Sequence, residues 1–107
     1  MVDDMLSVLK LSGVIDIRSI GDSFEKVKNA VGGGASVEID LTDITDIDLT
    51  FVQLIESARR SAALSGTTIR LSEPAGGVVL ETLNRGGFLN DPSDERTLFW
   101  LGRTEPM

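Results

Sequence analysis

Residues 37 to 60 read VEIDLTDITDIDLTFVQLIESARR, and the period of the apolar residues changes partway through. Val37, Ile39 and Leu41 alternate with Glu38, Asp40 and Thr42, which is the two-residue period of a strand. Phe51, Leu54, Ile55, Ala58 and Ala62 then fall on one stripe at helical spacing. An acidic turn holding Asp43, Asp46 and Asp48 joins the two. Asp48 stands just before the helix, where its side chain can accept from the free N–H groups of the first turn. Thr50 follows inside that turn. A chain built around a strand, an acidic turn and a helix start is an α/β chain, and the helix start is its first candidate site.

The flanking segments fit this frame. Met5 to Leu11 and Val14 to Ile17 read as short strands, and Ser12-Gly13 between them predicts a β-hairpin turn. Ile20, Phe24, Val27 and Val31 have helical spacing, with Ser19 or Asp22 as the cap and the glycines at 32 to 34 as the stop. That triplet lacks the lysine and hydroxyl residue of a phosphate loop. The central helix runs to about Leu64, with Arg59 and Arg60 near its end as a solvated face. Thr67 to Leu71 is β-branched and reads as a strand. A helix carrying Val78, Val79, Leu80 and Leu83 follows and closes at Asn84 to Gly87. Phe88-Leu89 is a candidate short last strand. Asp91-Pro92, Asp94 and Glu95 suit the opening of a final helix that packs Leu98, Phe99 and Leu101, the favoured reading, although Thr97 to Leu101 also reads as a strand; Trp100 is a packing residue. The order is β-β-α-β-α-β-α plus a short C-terminal element, in one domain spanning residues 1–107. Strand–helix–strand units give parallel pairing with right-handed crossovers, and helices mainly on one face of a small mixed sheet.

Composition narrows the function. The chain has no cysteine and no histidine, which removes thiol chemistry, the commonest general base and the commonest transition-metal ligand. An enzyme is therefore not expected, nor a cofactor or metal. The acids at 43, 46 and 48 lack the spacing of a calcium loop. A formal charge of −7 disfavours nucleic acid and anionic membrane as direct ligands, and favours a protein with a basic face. No apolar run is long enough to span a bilayer, and the N-terminus MVDDMLSVL is acidic where a secretion signal is basic, so a cytoplasmic location is expected.

Several phrases, in this order, resemble the STAS domain of anti-sigma-factor antagonists, sulphate transporters and stressosome proteins. They are Leu9-Lys10-Leu11-Ser12-Gly13-Val14-Ile15-Asp16, Val37-Glu38-Ile39-Asp40-Leu41, Ile47-Asp48-Leu49-Thr50, Ile69-Arg70-Leu71 and Gly86-Gly87-Phe88-Leu89. The resemblance covers nearly the whole chain. It implies a mixed sheet of four to five strands flanked by helices, and function by protein contact rather than catalysis. The family hallmark at the start of the central helix is an acid, two small hydroxyl residues and a glycine. Asp48 matches the acid, Leu49 occupies the usual phosphoacceptor position, Thr50 is the second hydroxyl and Phe51 replaces the glycine. The resemblance thus leaves Thr50 as the phosphoacceptor candidate. Leu49 and Val52 fall off the apolar stripe beside the acidic turn, which suits either the centre of a docking surface with Asp46, Asp48 and Thr50 or packing under a neighbouring loop, and Asp16, Arg18 and Ser19 are secondary candidates at the same end of the sheet. The partner implied is a kinase-like anti-sigma factor or related signalling protein. The alternative is the ATPase of a bacterial phospholipid-transport complex, with this chain as accessory subunit.

Overall fold

The computed structural model describes residues 6–33, 36–89 and 95–102. The element order is β1 (Leu6–Ile15), α1 (Ile20–Gly32), β2 (Ser36–Ile47), α2 (Leu49–Leu64), β3 (Ile69–Leu71), α3 (Gly77–Arg85) and α4 (Glu95–Leu101). Met5 and the residues at 91, 92 and 94, which the sequence reading used for a strand start and a helix opening, lie outside the described residues.

The expected hairpin is replaced by one strand. Leu6–Ile15 is continuous and pairs in parallel with β2 along its length. Ser12-Gly13 marks an irregularity in the ladder instead of a turn, and Gly13 takes φ 77°, which a glycine adopts at little cost. The register shifts between Lys10 and Ser12 and again between Gly13 and Val14, and the extra residue falls on β2 each time. Ten residues of β1 are thereby matched by twelve of β2. The bulges explain why Ile44 and Ile47, three apart, are both buried in one strand. They also absorb most of the expected acidic turn: Asp43 and Asp46 are strand residues, and Asp48 alone stands between β2 and α2.

The sheet order is β1-β2-β3, all parallel among the described residues, rather than a mixed sheet of four to five strands. Phe88 and Leu89, the candidate last strand, form a turn in which Phe88 N–H donates to Leu83 O at 3.0 Å. The C-terminal element is helical, as expected.

One face of the sheet carries Leu11, Ile15, Val37, Ile39, Ile44, Ile47 and Ile69, all buried beneath the helices. The other face carries the ion pairs Lys10–Asp43 at 2.8 Å and Arg70–Glu38 at 2.9 Å. The Arg70 hydrogen bond, then that of Ser72, holds the Glu38 carboxyl below its usual range. The core under α2 extends beyond the expected stripe, because Val52 and Glu56 are buried with Phe51, Ile55, Ala58 and Ala62. Glu56 is neutralised in place: Trp100 Nε1–H donates to its Oε2 at 2.7 Å, and Arg59 Nη2 lies 2.9 Å from its Oε1. Arg59 also sits 5.7 Å from the Phe99 ring centroid. It is therefore a structural residue beneath α4, not part of a solvated helix end, and α2 continues past it to Leu64.

Candidate functional site

Asp48 ties two elements together at the C-terminal end of the parallel strands. Its backbone is extended, so its side chain turns back over the helix start as an N-cap. Oδ1 accepts from the Thr50 backbone N–H at 3.0 Å and from the Thr50 hydroxyl. Oδ2 accepts from the Ile17 backbone N–H at 3.0 Å, across the gap to the β1–α1 loop. The Thr50 hydroxyl and these N–H groups all favour the charged carboxylate, which holds the Asp48 pKa below its ordinary 3.8.

The β1–α1 loop is itself closed by short bonds. Ser19 Oγ donates to Val14 O and accepts from Asp16 N–H, each at 3.1 Å, while Arg18 N–H donates to Asp16 Oδ1 at 3.0 Å. Ser19 occupies the N-cap position of α1, yet its side chain serves the loop and makes no cap bond. This closure fixes where Ile17 presents its N–H to Asp48. The Arg18 side chain reaches back only to Asp16, at 3.7 Å, and is otherwise in solvent.

Most of the expected site residues gather at this end. Asp16, Arg18 and Ser19 lie beside Asp48, Leu49 and Thr50, and Asp46 pairs with Val14 in the last rungs of the β1–β2 ladder. Val52 does not join them. It is 0% exposed, on the flank of α2 between Leu49, which approaches Gly86, and Glu56, which is bonded to Trp100. The expectation that Val52 forms part of a docking surface is corrected: it supports that surface from beneath.

One apolar residue missed by the sequence reading takes its place. Ile17 is 69% exposed in the β1–α1 loop whose backbone Asp48 holds, and Leu49 is 46% exposed at the start of α2, while Val14, 54% exposed, alternates with buried Ile15 and faces the helix-free side of the sheet. The sequence reads Val14 to Ile17 as the second strand of a hairpin, whereas β1 ends at Ile15 and Ile17 lies in the loop beyond it. Gly13 was the only available signal. On the other side of Asp48 a cleft of about 280 Å³ is lined by Ile47, Asp48, Leu49, Thr82, Arg85 and Gly86. Its floor depends on Gly86, where a Cβ would stand 2.8 Å from the Phe88 ring and 3.2 Å from Leu49 Cδ2. Among the described residues no cluster of acids has the geometry of a metal site, and no helix is long and apolar enough to cross a membrane. The arrangement presents exposed aliphatic side chains around a rigid, charged helix cap, the composition of a contact surface.

The family model described as Mlab, STAS domain, matches residues 3–90. Among solved structures, one described as "Crystal Structure Analysis of Mglu" superposes with a TM-score of 0.57 at 21% identity, over 65% of this chain and 18% of that one. At that identity the likeness concerns the fold alone, and this chain spans less than a fifth of that structure. No curated protein matches the sequence significantly.

Proposed function

The chain belongs to the STAS domain family, and from that premise we propose that it is a non-enzymatic module that docks a protein partner through the start of α2 and the β1–α1 loop. The observation that carries this reading is the Asp48 node. It holds two segments in fixed relation and brings exposed Ile17 and Leu49 to either side of its carboxylate. Aliphatic residues of this size on a rigid frame supply the desolvated centre of an interface, and Asp16, Asp46 and Arg18 supply its polar rim.

The partner we propose is a kinase-like anti-sigma factor or a related signalling protein, in the cytoplasm. Phosphorylation of Thr50 would act as the release signal. A phosphate there adds charge beside Asp48 and removes the hydroxyl from its bond to that carboxylate. A second reading is favoured by Leu49 and by the commitment of the Thr50 hydroxyl to Asp48. In it the surface is an unswitched anchor, on the ATPase of a phospholipid-transport complex.

The test is affinity purification from the native cell with three baits: wild type, Ile17→Asp and Val8→Asp. Val8 is exposed on β1, toward the opposite end of the strand from the β1–α1 loop that holds Ile17. The reading expects a partner retained by wild type and Val8→Asp and lost by Ile17→Asp. Equal recovery on all three baits would remove the surface from consideration. Phosphopeptide mapping of the recovered chain separates switch from anchor: phosphate on Thr50 supports the first, and a stoichiometric complex with unmodified Thr50 the second.

A further inference from the structure

β3 is an outer strand of the sheet, on the side away from β1. Val37 N–H donates to Thr68 O and Ser72 N–H to Ile39 O, each at 2.9 Å. Along a parallel strand, residues bonded to one neighbour alternate with residues facing the other way. Thr68, Arg70 and Ser72 therefore turn their backbone groups to β2, and Ile69 and Leu71 turn theirs outward. Among the described residues no strand lies beyond them. Such an edge is a template for a further strand.

α4 and the second half of α2 overhang this edge and enclose a groove of about 500 Å³. Ala63, Ile69, Leu98 and Phe99 give it an apolar wall. Arg70 stands on the helix-free side. Two of its guanidinium nitrogens, Nε and Nη2, engage Glu38 at 3.1 and 2.9 Å. A guanidinium carries about five N–H donors, and this side chain is 65% exposed. Among the described residues the charged side chains lining the groove are Arg59, paired with Glu56, and Arg70, in a chain of net charge −7. A strand added at this edge would point alternate side chains to opposite faces. One set would meet Leu98 and Phe99, the other Thr68 and Arg70.

We propose that the β3 edge receives an extended segment of a partner protein in which apolar and acidic residues alternate. The segment pairs with the outward groups of Ile69 and Leu71, rests its apolar residues on Leu98 and Phe99, and sets a carboxylate against Arg70. This contact lies on the late part of α2 and on β3, apart from the Asp48 surface, and does not depend on it.

The probe is an end-blocked, fluorescein-labelled peptide alternating valine and glutamate, with a valine–lysine peptide as control. Binding is read by fluorescence anisotropy and by amide exchange of the isotope-labelled protein. The glutamate peptide is expected to bind about tenfold more tightly than the lysine peptide at low salt and to protect the amides of Ile69 and Leu71. Arg70→Glu should reverse the preference. Arg70→Gln, which places no like charge beside Glu38, should abolish it. Leu49→Asp should leave it unchanged, so failure here is distinguishable from failure of the Asp48 surface. Equal binding of both peptides, or perturbation centred on Ile17 and Leu49, overturns the proposal. So does protection of Ile69 and Leu71 before peptide is added. If that protection rises with protein concentration the occupant is a second copy, and if it does not the occupant belongs to the same chain.

Discussion

At the scale of single residues, Asp48 does the most. Its loss removes a helix cap and the acceptor of Ile17 N–H together. Asp48→Ala is expected to cost about 1–2 kcal/mol, measured by urea unfolding. The sign of its pH dependence follows from the lowered pKa. Stability from Asp48 is fully present above the ordinary carboxylate value of 3.8 and is lost as pH falls through the lower folded value. Thr50→Val removes the largest cause of the shift. The Asp48 carboxyl should then titrate at higher pH, and the acid loss of stability, which starts at the same ordinary carboxylate value, should be smaller and complete at a higher pH; a carbon-detected NMR titration of the Asp48 carboxyl reads the shift directly. Gly86 is a second test. Its φ of −84° suits any residue, so Gly86→Ala carries no backbone strain, but the new methyl must push Phe88 and Leu49 aside. A cost of about 1–3 kcal/mol is expected from overpacking, with chemical-shift changes at Phe88 and Leu49. Asp48 was legible in the sequence because capping is local. Gly86 was read only as a helix stop, since its crowding comes from a side chain on another element.

At the scale of elements, the helices and the parallel pairing of strands joined by helices were legible, and the choice between a hairpin and one bulged strand was not. The helical stripe from Phe51 to Ala62 and the caps at Asp48 and Gly86 depend on neighbours within a turn or two. β1 was misread because Ser12-Gly13 has the same chemistry in a turn and in a bulge, and the choice is made by β2, more than twenty residues away. Burial of Glu56 was invisible for the same reason: Trp100 of α4, distant in sequence, covers it. The contact of α4 with α2 rests on Trp100, Glu56 and Arg59. Trp100→Phe keeps most of the ring volume and removes the donor to a buried carboxylate. It is expected to cost about 1–3 kcal/mol by urea unfolding, and to increase amide exchange in α4 more than in α1. Uniform loosening of both helices would argue against a local role for that bond.

At the scale of the molecule, the parallel strands bring every ligand-competent loop to one end, and the bulges decide which apolar residues reach the surface there. With a net charge of −7, capture of a basic-faced partner should be accelerated at low salt. The association rate is expected to fall by about tenfold between low and physiological ionic strength while the dissociation rate changes little. Stopped-flow mixing at several salt concentrations measures both. The central claim is that docking runs through the start of α2, and Leu49 is the residue to change, since it is half exposed and its side chain lies at the edge of the Asp48 node. The decisive measurement is the equilibrium affinity of the purified native partner for wild type and for Leu49→Asp, with folding of the variant checked by urea unfolding. The account predicts a loss of about a hundredfold, the effect of burying a new carboxylate at an interface centre. Unchanged affinity in a folded Leu49→Asp protein would contradict it.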